Sequence, residues 1–520
     1  MARESYDVIV IGSGFGGAMA AHVFVHAGLR VLMLERGGWL ERGPHNWTRS
    51  GVIDYSPAFS EEAGYAVRGE RRGKQRALFC VGGPSVYYGG VSLRLRERDF
   101  DPNPSLAGDS GGRWPYGYDE LEPYYARAER ILGVAGASGA AAGWSTDGDP
   151  TKPRRSEPYP HELLAISNAS DRIGRAAASL GLRPFRLPLA INHAATNGRR
   201  ACIGCMTCDA FPCAIGAKND LATTVLPALV ARGLRLEPDT VAVRLVELGG
   251  RVTSVECIGR SSRRPRVYTA DHIVVSSGAL GSAHLLLASA LPARNPAGDA
   301  VGRYLMRHCN AIVYGVFPSS PIGDEFHKEI GIHDYYFGDP RAAEPEGKYG
   351  SIQQVHAPPL GIVLDRTPRP LHQAVPWLLD RMTGMLVIAE DQPRRDNRVA
   401  LDGARRDTFG MPRLIIHHRY SSRDRAARRA LARVARQVLR EAGARAFYVH
   451  KILTFSHALG TVRMGDDPRT APLDHACRFR GIDNLSVIDG SALPASGALN
   501  PSLTIAANAL RAADLMVSGE

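Results

Sequence analysis

Tyr6 to Arg36 reads YDVIVIGSGFGGAMAAHVFVHAGLRVLMLER, and the order of residue types in it decides the fold. YDVIVI is an apolar run of strand length, and Gly12-Ser13-Gly14-Phe15-Gly16-Gly17 follows it at once, satisfying G-x-G-x-x-G. A small-residue helix, AMAAHVFVHAG, ends at Gly28, and a second strand, RVLMLE, closes on Glu35 with Arg36 beside it. This is a βαβ unit with glycines at the turn, where a missing side chain lets a pyrophosphate approach the helix amino-terminus. Glu35 lies 21 residues past Gly14, where an acid can bind an adenosine ribose. A bare G-x-G-x-x-G is weak; strand, helix, second strand and acid in order make a ligand-free turn the poorer reading.

Outward from this unit, 520 residues are too many for one typical core, so two or more domains are expected. An apolar content of 44% with 22% charged residues is that of an ordinary globular chain. No apolar stretch reaches membrane-spanning length, so no membrane insertion is expected. The first strand starts at Tyr6 and leaves no room for a secretory signal, which makes a cytoplasmic setting the expectation. The formal charge of +12 comes mostly from scattered arginines. One cluster, Arg260, Arg263, Arg264 and Arg266, reads as a hairpin turn, and SRDRAARRALARVARQVLREAGAR reads as an amphipathic helix with a solvated arginine face. No nucleic-acid module accompanies them, so no nucleic-acid partner is expected. The charge favours a neutral or anionic small molecule over a polycation.

CVGGPSVYYGGVSLRL, Cys80 to Leu95, places Gly82, Gly83, Gly89 and Gly90 around Ser85, Tyr87 and Tyr88. Four glycines so close together imply backbone pressed against something. WPYGYDELEPYYARAERILGVAG predicts a helix starting at Tyr118 or Asp119. Residues 234 to 280 read as short strands, with Gly249-Gly250 as a hairpin turn and Val241 within one of them. IVVSSGALGSAHLLLAS then repeats the strand, glycine turn and helix logic at Gly278 and Gly281. AGASGAAAGW, residues 135 to 144, reads as a mobile loop.

The last seventy residues hold His457 in SHALGTVRMG, a strand reading NLSVIDGS with Asp489 and Gly490, and Asn500 in GALNPSLTIAANALRAADLM. Histidine titrates near neutrality and suits a base for a hydroxyl proton; an asparagine amide donates to the same oxygen without titrating. Pro501 and Ser502 open a helix whose buried side carries Leu503, Ala506, Ala507 and Leu510. A helix amino-terminus there favours negative charge.

His457 in HxxGTxRMG, Asn500 43 residues later and the amino-terminal fingerprint together resemble the glucose–methanol–choline (GMC) oxidoreductases. The resemblance covers both ends of the chain and weakens from 311 to 450. It implies an α/β fold: a Rossmann-like FAD-binding domain (p-hydroxybenzoate hydroxylase-like) with an interleaved α+β substrate-binding domain on an antiparallel sheet. The expected division gives 1–160, 201–310 and 451–520 to the FAD-binding domain, and 161–200 and 311–450 to the substrate-binding domain. It implies FAD as cofactor, with the Cys80–Leu95 segment as second cofactor signature and Asp489-Gly490 near the ribityl–phosphate arm. His457 and Asn500 would be the catalytic pair, removing an alcohol proton as hydride passes to flavin N5. Tyr87 and Tyr88 stand where some members carry a flavin-linking histidine, so noncovalent FAD is expected. Glu390, in AEDQPRRDNRVAL, reads as a structural carboxylate on a strand end.

RPFRLPLAINHAATNGRRACIGC resembles the subgroup acting on sugars and glycosides, pyranose oxidases and aminoglycoside-sugar oxidases among them. With the positive charge, this favours a neutral sugar or aryl glycoside oxidised at a secondary ring hydroxyl to a keto-sugar, with O2 or another acceptor. An aminoglycoside-sugar oxidase or dehydrogenase, a non-redox lyase on the same fold, and an electron-transfer subunit are the other readings. The last draws on Cys202, Cys205, Cys208 and Cys213, spaced C-x2-C-x2-C-x4-C. That is close to ferredoxin spacing, except that the last gap is four and the proline precedes the fourth cysteine. An iron–sulfur cluster, a tetrahedral zinc and free thiols or disulfides all stay open. Cys80, Cys257, Cys309 and Cys477 read as scattered buried thiols.

Overall fold

The computed structural model describes residues 6–70, 72–137, 144–195, 198–321, 328–340 and 347–519. The expected βαβ unit forms as β1 (Tyr6–Ile11), α1 (Phe15–His26) and β2 (Val31–Leu34). These strands are the middle of a five-stranded, all-parallel sheet ordered Leu485–Val487, Ala270–Val275, β1, β2, Arg235–Glu237. β2 is buried throughout, as a parallel sheet covered on both faces requires. α1 is lined with Ala18, Ala20 and Ala21, all fully buried, and packs against the carboxy-terminal helix Ser502–Ser518. Two helices so rich in alanine can approach closely, which draws the two ends of the chain together over one sheet.

The second layer is a six-stranded antiparallel sheet ordered Ala446–Lys451, Ala311–Val316, Met382–Ala389, Gly350–Val355, Ile330–Ile332, Pro184–Arg186. The helix Ser422–Glu441 covers it with Leu431, Val434, Ala435, Val438 and Leu439 buried and its arginines outward. Each such leucine or valine contributes about 1.5–3 kcal/mol. Ser421 caps this helix by accepting from Asp424 N, and the Asp424 carboxylate accepts from Ser421 N in return. Thr240–Leu248 and Arg251–Gly259 form the expected hairpin, with Gly249 and Gly250 both at positive φ.

The architecture is thus the expected α/β one, with a parallel nucleotide-type sheet beside an antiparallel sheet. Some details differ. The helix Tyr118–Leu132 is capped by Gly117, with Asp119 inside its first turn, and Pro501 sits at the cap, just before Ser502. A four-stranded sheet joins Phe59–Gly69 and Gly73–Leu78 to Pro412–His418 and Arg398–Arg406, its central pair parallel. The loop expected near 135–144 falls largely on 138–143, outside the described residues. Among the described residues no helix is long and apolar enough to cross a membrane.

Candidate active site

The fingerprint glycines divide by task. A Cβ on Gly12 would stand 2.3 Å from Ser276 O, on Gly16 1.9 Å from Ile488 O, and on Gly17 2.0 Å from Gly12 O. These three let backbone cross backbone. Gly14 alone would meet nothing within 4 Å, and it caps α1 without a side-chain partner for the first-turn amides. Open space at a free helix amino-terminus fits a pyrophosphate. The Glu35 carboxylate accepts from Ser13 N, Ser13 Oγ and Gly37 N, so the acid expected on a ribose also holds the turn. Burial raises its pKa, and a ribose hydroxyl donating to it would help keep it charged. Arg36 is half-buried between Phe79 and Phe409, with Nε lacking a partner among the described residues. Val241 is buried in the neighbouring strand Thr240–Leu248.

The second signature lies directly on the first. A Gly83 Cβ would stand 3.3 Å from Gly14 Cα, Gly82 N donates to Ser13 Oγ, and Gly82, Gly83 and Gly90 all have positive φ. Ser85 Oγ donates to Gly82 O and accepts from Leu221 N, so Ser85 holds the turn. Tyr88 packs its ring 5.5 Å from Phe15 and donates to Asn219 O. Gly89 is pressed by an ion pair: its Cβ would fall 2.1 Å from Asp209 Oδ1 and 2.2 Å from Lys328 Nζ. On the other side, Asp489 accepts from Gly278 N, Ser282 Oγ, Ser491 N and Ser491 Oγ, so both carboxylate oxygens brace the strand ends. Gly490 O accepts from Gly460 N, tying this turn to the His457 segment.

The cysteine loop corrects one expectation. Among the described residues no group of three or more His, Cys, Asp or Glu stands where it could hold a metal. Cys202, Cys205, Cys208 and Cys213 are all free, and the residues do not fit an iron–sulfur or zinc site. The loop is gathered by an ammonium instead: the buried Lys218 Nζ donates to Tyr88 O, Cys208 O and Phe211 O, each at 2.8 Å. Burial raises the thiol pKa of Cys202 and Cys208, which keeps them protonated and poor as ligands. Cys80, Cys257, Cys309 and Cys477 are buried, as expected.

His457 is half-buried, and its Nδ1 lies 3.0 Å from Nδ1 of a second imidazole, His308. No described residue partners its Nε2. Burial, with His308 and Lys328 adding to it, holds its pKa down at about 3 against the pull of Asp391. It is therefore a neutral imidazole across the ordinary pH range. His308 Nε2 reaches Ser496 O at 2.9 Å, in the loop that carries Asn500. Asn500 Oδ1 accepts from Gln353 Nε2 at 2.8 Å, which leaves the Asn500 amide N–H groups without a described partner. Behind Gln353 runs a buried polar chain through Ser351 and His333 to Asp149 and Arg96. Pro501 and Ser502 follow Asn500 at the start of the last helix, where Leu503, Ala506, Ala507 and Leu510 are fully buried. Glu390 pairs with Lys348 and accepts from Gly497 N, bracing the Asn500 loop as a structural carboxylate.

His308, Gln353, Lys328 and Asp209 escaped the sequence reading. Gln353 had one signal, a pair of glutamines inside the strand GSIQQV, where buried amides need partners. His308 follows an unremarkable RYLMR and had none.

The family model described as GMC oxidoreductase matches residues 6–310 and 393–509. A 6'''-hydroxyparomomycin C oxidase of Streptomyces lividus is 34% identical, over 99% of this chain and 92% of its own. A paromamine 6'-oxidase of Streptomyces fradiae is 33% identical, over 98% of this chain and 90% of its own. Among solved structures, a formate oxidase superposes with a TM-score of 0.72 at 15% identity, covering 100% of this chain and 99% of that one. At that identity the likeness is one of fold.

Proposed function

The chain belongs to the GMC oxidoreductase family, enzymes acting on CH–OH groups, and from that premise we propose that it oxidises an alcohol of a sugar or glycoside with noncovalent FAD. The observation that carries the reading is His457: a neutral imidazole whose Nε2 has no partner among the described residues, linked through His308 to the Asn500 loop. The open space at Gly14 and the glycine turns pressed upon it support the FAD site. When bound, FAD supplies the acceptor for the hydride that leaves the substrate carbon. His457 Nε2 takes the hydroxyl proton, so hydride and proton together balance a two-electron oxidation of CH–OH to C=O. The Asn500 amide donates to the substrate oxygen as charge builds on it. The ammonium of Lys328, close enough to bias His457, disfavours the imidazolium until that negative charge develops.

The charge of +12 favours a neutral sugar over a polycationic one, and the resemblance to pyranose oxidases supports a secondary ring hydroxyl as the group attacked, giving a keto-sugar. A second reading, an aminoglycoside sugar as substrate, is favoured by the two Streptomyces relatives at 33–34% identity. The test is anaerobic mixing of the FAD-loaded protein with neutral pyranoses, aryl glycosides and aminoglycosides. Bleaching of the flavin band names the class, and reoxidation by O2 or a dye names the acceptor. Bleaching by none of them would reopen the lyase reading. His457→Ala is expected to retain FAD and lose bleaching by at least about 100-fold; unchanged reduction kinetics would remove the histidine from the mechanism.

A further inference from the structure

The His308–His457 contact joins two Nδ1 atoms, and which of them carries the hydrogen decides which end of His457 can act as base. Ser496 O can only accept, so His308 Nε2 must donate to it. A neutral imidazole has one N–H, so His308 Nδ1 then carries a lone pair. His457 Nδ1 can meet that lone pair only as a donor. The hydrogen of His457 is thereby fixed on Nδ1, and its lone pair on Nε2, the nitrogen without a described partner. We propose that His308, oriented by the Ser496 carbonyl, is a positioning residue that sets the tautomer of His457 with Nε2 as the proton-accepting nitrogen. The step it prepares rests on the alcohol-oxidising role of His457 proposed above.

The backbone points the same way. His308 has φ +60, left-handed for a residue with a side chain, which costs about 1–3 kcal/mol. The turn is held from several sides: the Asp391 carboxylate accepts from Arg307 N at 2.8 Å and His308 N at 3.0 Å, and the Tyr420 hydroxyl donates to His308 O at 2.7 Å. All four polar groups of His308, two in the ring and two in the backbone, are therefore engaged. The nearest carboxylate, Asp391, meets the two amides and His418 rather than the His308 ring. Burial keeps that ring neutral despite the fields of Asp391 and Glu390, with Lys348 acting in the same direction as burial. A strained, fully bonded imidazole is more than packing requires at this point.

Glutamine at 308 can reproduce both bonds with the same polarity, its oxygen accepting from His457 and its amide donating to Ser496 O, without titrating. Leucine fills similar space and makes neither. The experiment compares His308→Gln with His308→Leu by stopped-flow flavin reduction. It also records 15N–1H correlations of the histidine rings in the wild-type holoenzyme, with the His457 signals found by their loss in His457→Ala. The wild type should show a protonated Nδ1 and a bare Nε2 at His457. His308→Leu should retain FAD and substrate affinity but reduce flavin about 10²–10⁴-fold more slowly, the scale on which losing a tautomer-holding partner acts elsewhere. His308→Gln should recover most of that loss. Equal rates for the two variants, or a bare Nδ1 at His457, would overturn the proposal. The ring spectrum needs no substrate, so it separates this failure from a failure of the oxidation reading, which His457→Ala alone would reveal.

Discussion

Gly14→Ala and Gly16→Ala are expected to fail in different ways, although the two residues share one turn. Gly16→Ala drives a methyl against Ile488 O and should destabilise the protein itself by about 1–3 kcal/mol, seen as a lower Tm with and without FAD. Gly14→Ala meets no protein atom and keeps an ordinary φ, so the apoprotein's Tm should hold while FAD affinity falls. Loss of stability in both alike would mean that the space at Gly14 is not where the nucleotide lies. The acid limb of flavin reduction is a second test at this scale. With His457 as the proposed base its neutral form is the competent one, and its pKa is depressed to about 3, so competence is lost only as pH falls toward that value. Anaerobic reduction should show no limb near pH 6.5, where an unperturbed histidine would give one; a limb there would mean that His457 is solvated in the holoenzyme. His457 and Asn500 were singled out as candidates because each sits in a local pattern of small residues. His308 and Gln353 were not, because their partners lie 149 and 147 residues away and leave no spacing to read.

At the scale of elements, β1, α1 and β2 and the Gly249-Gly250 hairpin could be read directly, since strand period, helix length and turn residues are neighbours in sequence. The four-stranded sheet could not: its parallel pairing of Ile415–His418 with Ala66–Gly69 crosses some 350 residues, and Phe59–Gly69 carries several polar and charged residues. The cysteine loop stayed open in sequence because spacing records how far apart thiols are along the chain, not whether they converge on one point. Lys218 is what organises it. Lys218→Met should leave three carbonyls unsatisfied and lower stability by about 3 kcal/mol, whereas EDTA should leave Tm and the visible spectrum unchanged. A chelator-sensitive Tm, or iron near one atom per chain, would restore the metal reading.

For the molecule as a whole, the nucleotide cleft draws on both ends of the chain, so ligand and fold are linked. At a concentration a hundredfold above its dissociation constant, FAD should add about 2.7 kcal/mol to stability. Stripping it should lower Tm, and titrating it back should restore Tm progressively; an unchanged Tm would argue that the cleft binds no FAD. The antiparallel sheet that holds Gln353 is assembled from Pro184–Arg186 and from strands between 311 and 451, with one long helix across it. An antiparallel sheet was expected here from the resemblance, but the order of its strands was not legible, because six short strands admit many orders and only long-range packing selects one.

The edge strand Leu485–Val487 also sets a schedule. The parallel sheet cannot be completed, nor can Ile488 close over Gly16 or Asp489 clasp Gly278, until more than nine-tenths of the chain has been made. At about 5–20 residues per second that takes roughly half a minute to a minute and a half, during which the fingerprint turn waits on the ribosome without its far wall. Cofactor capture is then an event of release rather than of synthesis, and a nascent chain stalled before residue 485 should emerge colourless however much FAD surrounds it.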